Sequence, residues 1–274
     1  MKKAITLLAA ISFLFVGCID YSSTVKLNPD GSGTIEETVL VSSAFMQMMN
    51  SFAQSFSGDS SEAETGFDIF DVEELKQQAA EMGDGVKYLR GEKLKDGNRE
   101  GYKAFYSFED IKKITLNDSP NDKIPGDEMT GGTEIDDESY ITFNFSDGTP
   151  STLEVIFPEG ELEINNQPED KTDSEEESFN DEAMTQQMKI FLKDFRISMD
   201  LEINGEILET NATHVNDNII TFFKMDFGEL LNFPEKLDEL QKTQPQNITE
   251  AKELIKDIPG FKIELNDKIF VKFD

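Results

Sequence analysis

Residues 196–210 read RISMDLEINGEILET, and this stretch decides the class of fold. Ile197, Met199, Leu201 and Ile203 alternate with Arg196, Ser198, Asp200 and Glu202. Successive side chains of a strand point to opposite faces, so this alternation marks a strand with one apolar and one wet face. Asn204-Gly205 follows, a pair suited to a two-residue hairpin turn because it tolerates positive φ at both central positions. The partner strand is expected over Glu206–Thr210 and a further strand over Asn218–Phe227.

The same grammar extends in both directions. Thr24–Leu27 and Thr34–Val41 flank Asn28-Pro29-Asp30-Gly31-Ser32-Gly33, a hairpin signal. Val86–Leu94 and Gly101–Phe108 flank Asp96-Gly97-Asn98, and Tyr140–Phe145 and Thr152–Phe157 flank Ser146-Asp147-Gly148. Phe261–Leu265 and Lys268–Phe273 form a last pair around Asn266-Asp267. Helical spacing of apolar residues appears over Ser43–Ser57, Asp71–Met82 (with Asp71 as N-cap) and Ala183–Phe195. Two more helices are expected over Pro234–Lys242 and Thr249–Asp257. Residues 117–138 and 164–182, rich in Asp, Glu, Asn, Gly and Pro, read as acidic surface loops. Strands that follow one another through tight turns predict an α+β fold: an antiparallel β-meander sheet with helices packed on one face.

The N-terminus carries an address. Lys2 and Lys3 precede an uncharged, mostly apolar run, Ala4–Gly17, and then Cys18, the only cysteine in the chain. Fourteen helical residues reach about 21 Å, short of the roughly 30 Å hydrocarbon core, so the run reads as a secretion signal and not a membrane span. Leu14-Phe15-Val16-Gly17-Cys18 resembles the lipobox of bacterial lipoproteins, with Phe15 where Leu is usual. That resemblance implies removal of residues 1–17 and acylation of Cys18, with residues 18–23 as a short tether and 24–274 as one domain. Several acyl chains on one cysteine make a durable anchor. Ile19 follows the cysteine where an Asp would mark inner-membrane retention, so the outer membrane is the expected address in a host with two membranes.

Composition narrows the function classes. The 274 residues hold 56 Asp and Glu against 25 Lys and Arg, a formal charge of −31. So acidic a chain repels phosphate backbones, which argues against nucleic acid as a partner. One cysteine and one histidine, His214, leave no Cys- or His-based metal cage and no expected cofactor. Asn28, Asp30, Ser32, Gly33 and Ile35 match five positions of a calcium-binding EF-hand loop, but Val39 stands where the bidentate Glu belongs, so a plain turn is expected. His214 sits in a polar connection with no evident nucleophile or orienting acid. Carboxylates are abundant enough that glycosidase-like pairs carry no information, and no Asp or Glu stands out in an apolar setting.

One feature rises above this background. Phe45, Met48, Met49, Phe52 and Phe56 share one face of a helix whose polar face is Gln47, Asn50, Gln54 and serines, without a charge. Met and Phe together make an adaptable apolar surface, suited to a lipid groove or a protein partner, or to packing as core.

The stretch Met199–Ile207 through Asn211, followed by Asn218-Ile219-Ile220-Thr221-Phe222, resembles a segment of LppM-like bacterial lipoproteins. The likeness covers about a third of the chain. Phe222 and Phe223 stand where that family carries Trp, and Asn204 where it carries Pro. It implies an anchored envelope protein and, for some members, lipid binding. The resulting expectation is a non-catalytic, lipid-anchored envelope protein that binds a hydrophobic ligand or partner through the Met/Phe helix. A structural or assembly lipoprotein without a ligand is the second reading, and a carboxylate-based hydrolase the third.

Overall fold

The computed structural model describes residues 19–43, 45–47, 69–117, 140–158, 193–236, 239, 243 and 248–274. The strands are β1 (Ile19–Leu27), β2 (Gly33–Ser42), β3 (Lys87–Asp96), β4 (Arg99–Phe108), β5 (Leu116–Asn117), β6 (Tyr140–Ser146) and β7 (Ser151–Ile156). They continue with β8 (Arg196–Ile203), β9 (Ile207–Thr210), β10 (Val215–Asn216), β11 (Ile219–Asp226), β12 (Phe261–Ile263) and β13 (Lys268–Phe273). Among the described residues the helices are α1 (Val72–Glu81), α2 (Phe227–Leu230) and α3 (Ile248–Ile255).

The strands form two sheets. The larger has the order β10-β11-β8-β1-β2-β4-β3, with β12 beside β11; the smaller runs β5-β6-β7-β13-β9. The expected hairpins β1–β2, β3–β4 and β6–β7 are all present as antiparallel pairs. The single antiparallel meander is not. At the centre of the larger sheet β1 and β8 run parallel, Asp20 beside Arg196 through Leu27 beside Ile203, so this sheet is mixed.

The turn Asn204-Gly205 is likewise no hairpin. β8 lies between β1 and β11, whereas β9 belongs to the other sheet, antiparallel to β13. Gly205 serves a close approach instead: a Cβ there would lie 2.0 Å from the backbone oxygen of Asp274. Glu206 N–H donates to that same oxygen at 3.0 Å, seating the C-terminus against the crossover. The expected pair at the C-terminus also separates, β12 joining β11 and β13 joining β7 and β9.

Residues 19–23, expected as tether, are the first half of β1, with Ile19, Tyr21 and Ser23 buried in turn. One continuous core lies between the sheets. Val25, Ile35, Leu201 and Phe222 of the larger sheet and Phe143, Val155, Val271 and Phe273 of the smaller belong to it. Phe157 meets Phe222 edge-on at 5.2 Å between centroids, and Phe145 lies 6.4 Å from Phe273. The second layer over the large sheet is thus mostly another sheet, with α1 covering the β2–β4–β3 side. Burying this many large side chains is the dominant stabilising contribution, at roughly 1.5–3 kcal/mol each.

Helix α1 starts where the sequence places it. Asp71 Oδ1 accepts Glu73 N–H at 2.7 Å and Glu74 N–H at 3.4 Å, capping the first turn. Its buried residues, Leu75 and Ala79, lie four apart on one side. The strand expected to reach Phe227 stops one residue earlier, because Asp226 turns from strand to cap and accepts Glu229 N–H at 3.2 Å. The acidic loops lie outside the described residues from 118 to 138 and from 164 to 182. So do residues 183–192 of the expected helix ending at Phe195.

Candidate functional site

The strands β1, β2 and β4 lie side by side, and their register sets three rows across one face. Ser23, Glu37 and Ala104 stand abreast; Tyr21, Val39 and Tyr102 form the row on one side, and Val25, Ile35 and Tyr106 the row on the other. Glu37 is fully buried between two small neighbours, Ser23 and Ala104, which leave room above its carboxylate. The phenols and α1 fill that room. Tyr102 Oη donates to Glu37 Oε1 at 3.0 Å and Tyr21 Oη to Oε2 at 3.1 Å. Gln78, from α1, donates Nε2 to both oxygens at 3.1 Å. Tyr106 Oη donates to Gln78 Oε1 at 2.9 Å and so orients the amide, and Tyr88 rests edge-on against Tyr106 at 5.9 Å.

An unpaired carboxylate in an apolar layer costs several kcal/mol unless donors satisfy it. Here four hydrogen bonds do so, all from neutral groups. Burial pushes the Tyr21, Tyr102 and Tyr106 phenols well above the usual range, and the Glu37 charge beside them pushes in the same direction. The phenols are therefore fixed as neutral donors. Acid–base catalysis needs a group that can reach a substrate proton, and Glu37 is both saturated and sealed from solvent. The cluster instead locks α1 onto the sheet.

A second buried carboxylate, Glu264, ties two loops together. It accepts Thr213 N–H at 2.7 Å, Thr213 Oγ1 at 2.6 Å, Asn266 N–H at 3.0 Å and Asn266 Nδ2 at 2.9 Å. His214 lies beside this knot with Nε2 3.1 Å from the Ile263 carbonyl oxygen. In the turn that resembles a calcium loop, Asp30 Oδ1 accepts Ser32 Oγ at 2.6 Å and Ser32 N–H at 3.0 Å. Those bonds hold the Asp30 carboxyl below its usual range. Among the described residues no group of three or more His, Cys, Asp or Glu is placed to hold a metal ion.

The third arrangement is at the start of β1. Asp20 lies between Arg99, at 2.7 Å, and Arg196, at 3.8 Å, and Arg196 Nε donates to Asp226 at 2.8 Å. The uncharged Phe- and Met-bearing run leaves the sheet at this same end: Ile19 pairs with Val41, and Ser42 Oγ caps Phe45 N–H at 3.2 Å. Ser43 donates N–H and Oγ to the Asn98 carbonyl at 2.8 and 2.7 Å, joining this exit to the β3–β4 turn.

Of the residues singled out in the sequence, Phe45 is 1% exposed and belongs to the main core, so its side chain packs and does not line an open surface. Met48, Met49, Phe52, Phe56 and Cys18 lie outside the described residues. The two buried carboxylates, by contrast, overturn the expectation that no acid stands in an apolar setting. For Glu37 a signal existed, since Ile35, Glu37, Val39 and Val41 share one strand face and an acid among them is out of pattern. Glu264 lies just past the end of a three-residue strand, where alternation carries no message.

No protein-family model matches the chain. No curated protein matches it either. Among solved structures it bears a faint likeness to the NMR structure of the folded domain of LppM from Mycobacterium tuberculosis, at 10% identity and a TM-score of 0.31. The match covers 78% of this chain and 86% of that one.

Proposed function

We propose that the chain is a non-catalytic cell-envelope lipoprotein, held to a membrane by acyl chains on Cys18, whose folded part acts by binding and not by chemistry. The observation that carries this reading is the order Lys2-Lys3, the apolar run Ala4–Gly17, Cys18, and then a strand beginning at Ile19. The first described strand thus starts one residue after Cys18, the proposed site of attachment. The sealed, neutral-donor environment of Glu37 supports the absence of catalysis at the most conspicuous polar cluster. No helix among the described residues is long and apolar enough to cross a membrane. The proposed address is the extracytoplasmic face, with the outer membrane preferred in a host that has two.

The second reading, a structural or assembly lipoprotein without a small ligand, is favoured by one observation, the burial of Phe45 in the main core. Native mass spectrometry of the protein secreted as its Cys18→Ser variant separates the two. A co-purifying mass removed by lipid extraction supports a hydrophobic ligand; a clean protein mass with an intact circular dichroism spectrum supports the structural role.

A further inference from the structure

We infer that the end of the large sheet where β1 and β8 begin is a membrane-contact surface, seated directly on the lipid headgroups. The inference rests on the proposed lipid anchor and adds to it an orientation and a contact face. Its first support is the absence of slack. Cys18 is one peptide, about 3.8 Å between Cα atoms, from Ile19, and Ile19 is 1% exposed and paired with Val41 across the sheet. Asp20, the next residue, is gripped by Arg99 and Arg196. A lipid on Cys18 therefore pulls on the middle of a rigid sheet, and the bilayer surface comes to lie against this rim.

Charge supplies the second support. A chain of −31 is repelled by anionic headgroups over most of its surface. At this rim two guanidiniums offset part of the acidic charge: Arg99 meets Asp20 and Asp96, and Arg196 meets Asp20 and Asp226, with Asp194 nearby. Two of the three arginines in the chain are spent here. The third support is that the longest uncharged run of the sequence after Cys18 begins in β2 and leaves the sheet at this rim. Residues 38–58 contain no charged side chain in a chain that is 30% charged, and the described beginning of that run is the end of β2 and the helical turn at 45–47.

The chain has no Trp, so single Trp reporters are unambiguous. Asn98→Trp places one on the exposed β3–β4 turn at this rim, and Asp147→Trp one on the exposed β6–β7 turn. That turn lies at the opposite end, beside Pro29, whose carbonyl accepts Ser151 Oγ at 2.9 Å. The nine residues of β1 put about 26 Å between the two ends. The full-length, acylated proteins are reconstituted into phosphatidylcholine vesicles containing brominated phosphatidylcholine, after circular dichroism shows both variants folded. The expected result is at least a twofold loss of emission for Asn98→Trp and none for Asp147→Trp. Equal emission from both, in protein that floats with the vesicles, overturns the contact surface while leaving the anchor intact. Protein that fails to float and carries an unmodified Cys18 overturns the anchor reading and this inference with it.

Discussion

Glu37 shows how much one residue can decide. Its carboxylate is buried without a cation, and four hydrogen bonds from Tyr21, Tyr102 and Gln78 are what make that tolerable. Replacing it by Ala would strand two buried phenols and the half-buried Gln78 amide. Glu37→Ala should therefore lower stability by about 2–4 kcal/mol in urea unfolding, well beyond the effect of removing an exposed acid such as Glu73. The tyrosines add a pH signature. Their protons are held more tightly in the folded chain than in the unfolded one, so the stabilisation is complete below about pH 10, where the unfolded phenols begin to ionise. It is lost progressively as pH rises beyond that value. The unfolding midpoint should fall between about pH 10 and 12, and fall less steeply in Tyr21→Phe; identical alkaline slopes for the two proteins would contradict the assignment. Asp71 was legible from its place before a helical pattern, whereas Glu37 was readable only to someone asking which residue breaks an apolar face.

At the scale of elements, alternation identified strands well and their neighbours poorly. Ile197, Met199, Leu201 and Ile203 announce which face of β8 is buried, and all four are. Nothing in that period says that the partner is β1, some 170 residues earlier in the chain, or that the two run parallel. Asn204-Gly205 misled for a related reason: the same dipeptide suits a positive-φ turn and a place where backbone must approach backbone. Because a Cβ at 205 would collide with the backbone oxygen of Asp274, Gly205→Ala should cost about 2–3 kcal/mol, read as a lowered melting temperature. A neutral substitution would show that the C-terminus is not seated there. The cap of α1 is a milder test, with Asp71→Ala expected to lose about 1 kcal/mol. The opening residues of β1 alternate as regularly as the rest, and only their position behind Cys18 made them read as tether.

At the scale of the molecule, the described residues form two sheets around a main core, with an acidic composition and the proposed attachment residue, Cys18, next in sequence to the central strand. That arrangement ties the fold's stability to its proposed anchoring. Asp20 holds the first turn of sheet against Arg99 and Arg196, and these pairs are only partly exposed, so Asp20→Asn should loosen the start of β1. The expected loss is modest, about 1 kcal/mol, visible as faster amide exchange at Tyr21 and Ser23 and little change elsewhere. The most direct measurement is the intact mass of the protein extracted from the membranes of a bacterial host. The account predicts a chain that begins at Cys18 and carries a diacylglyceryl group, with the Cys18→Ser variant recovered outside the membrane fraction. A chain that keeps residues 1–17, or one cut elsewhere with its Cys18 thiol unmodified, would contradict it.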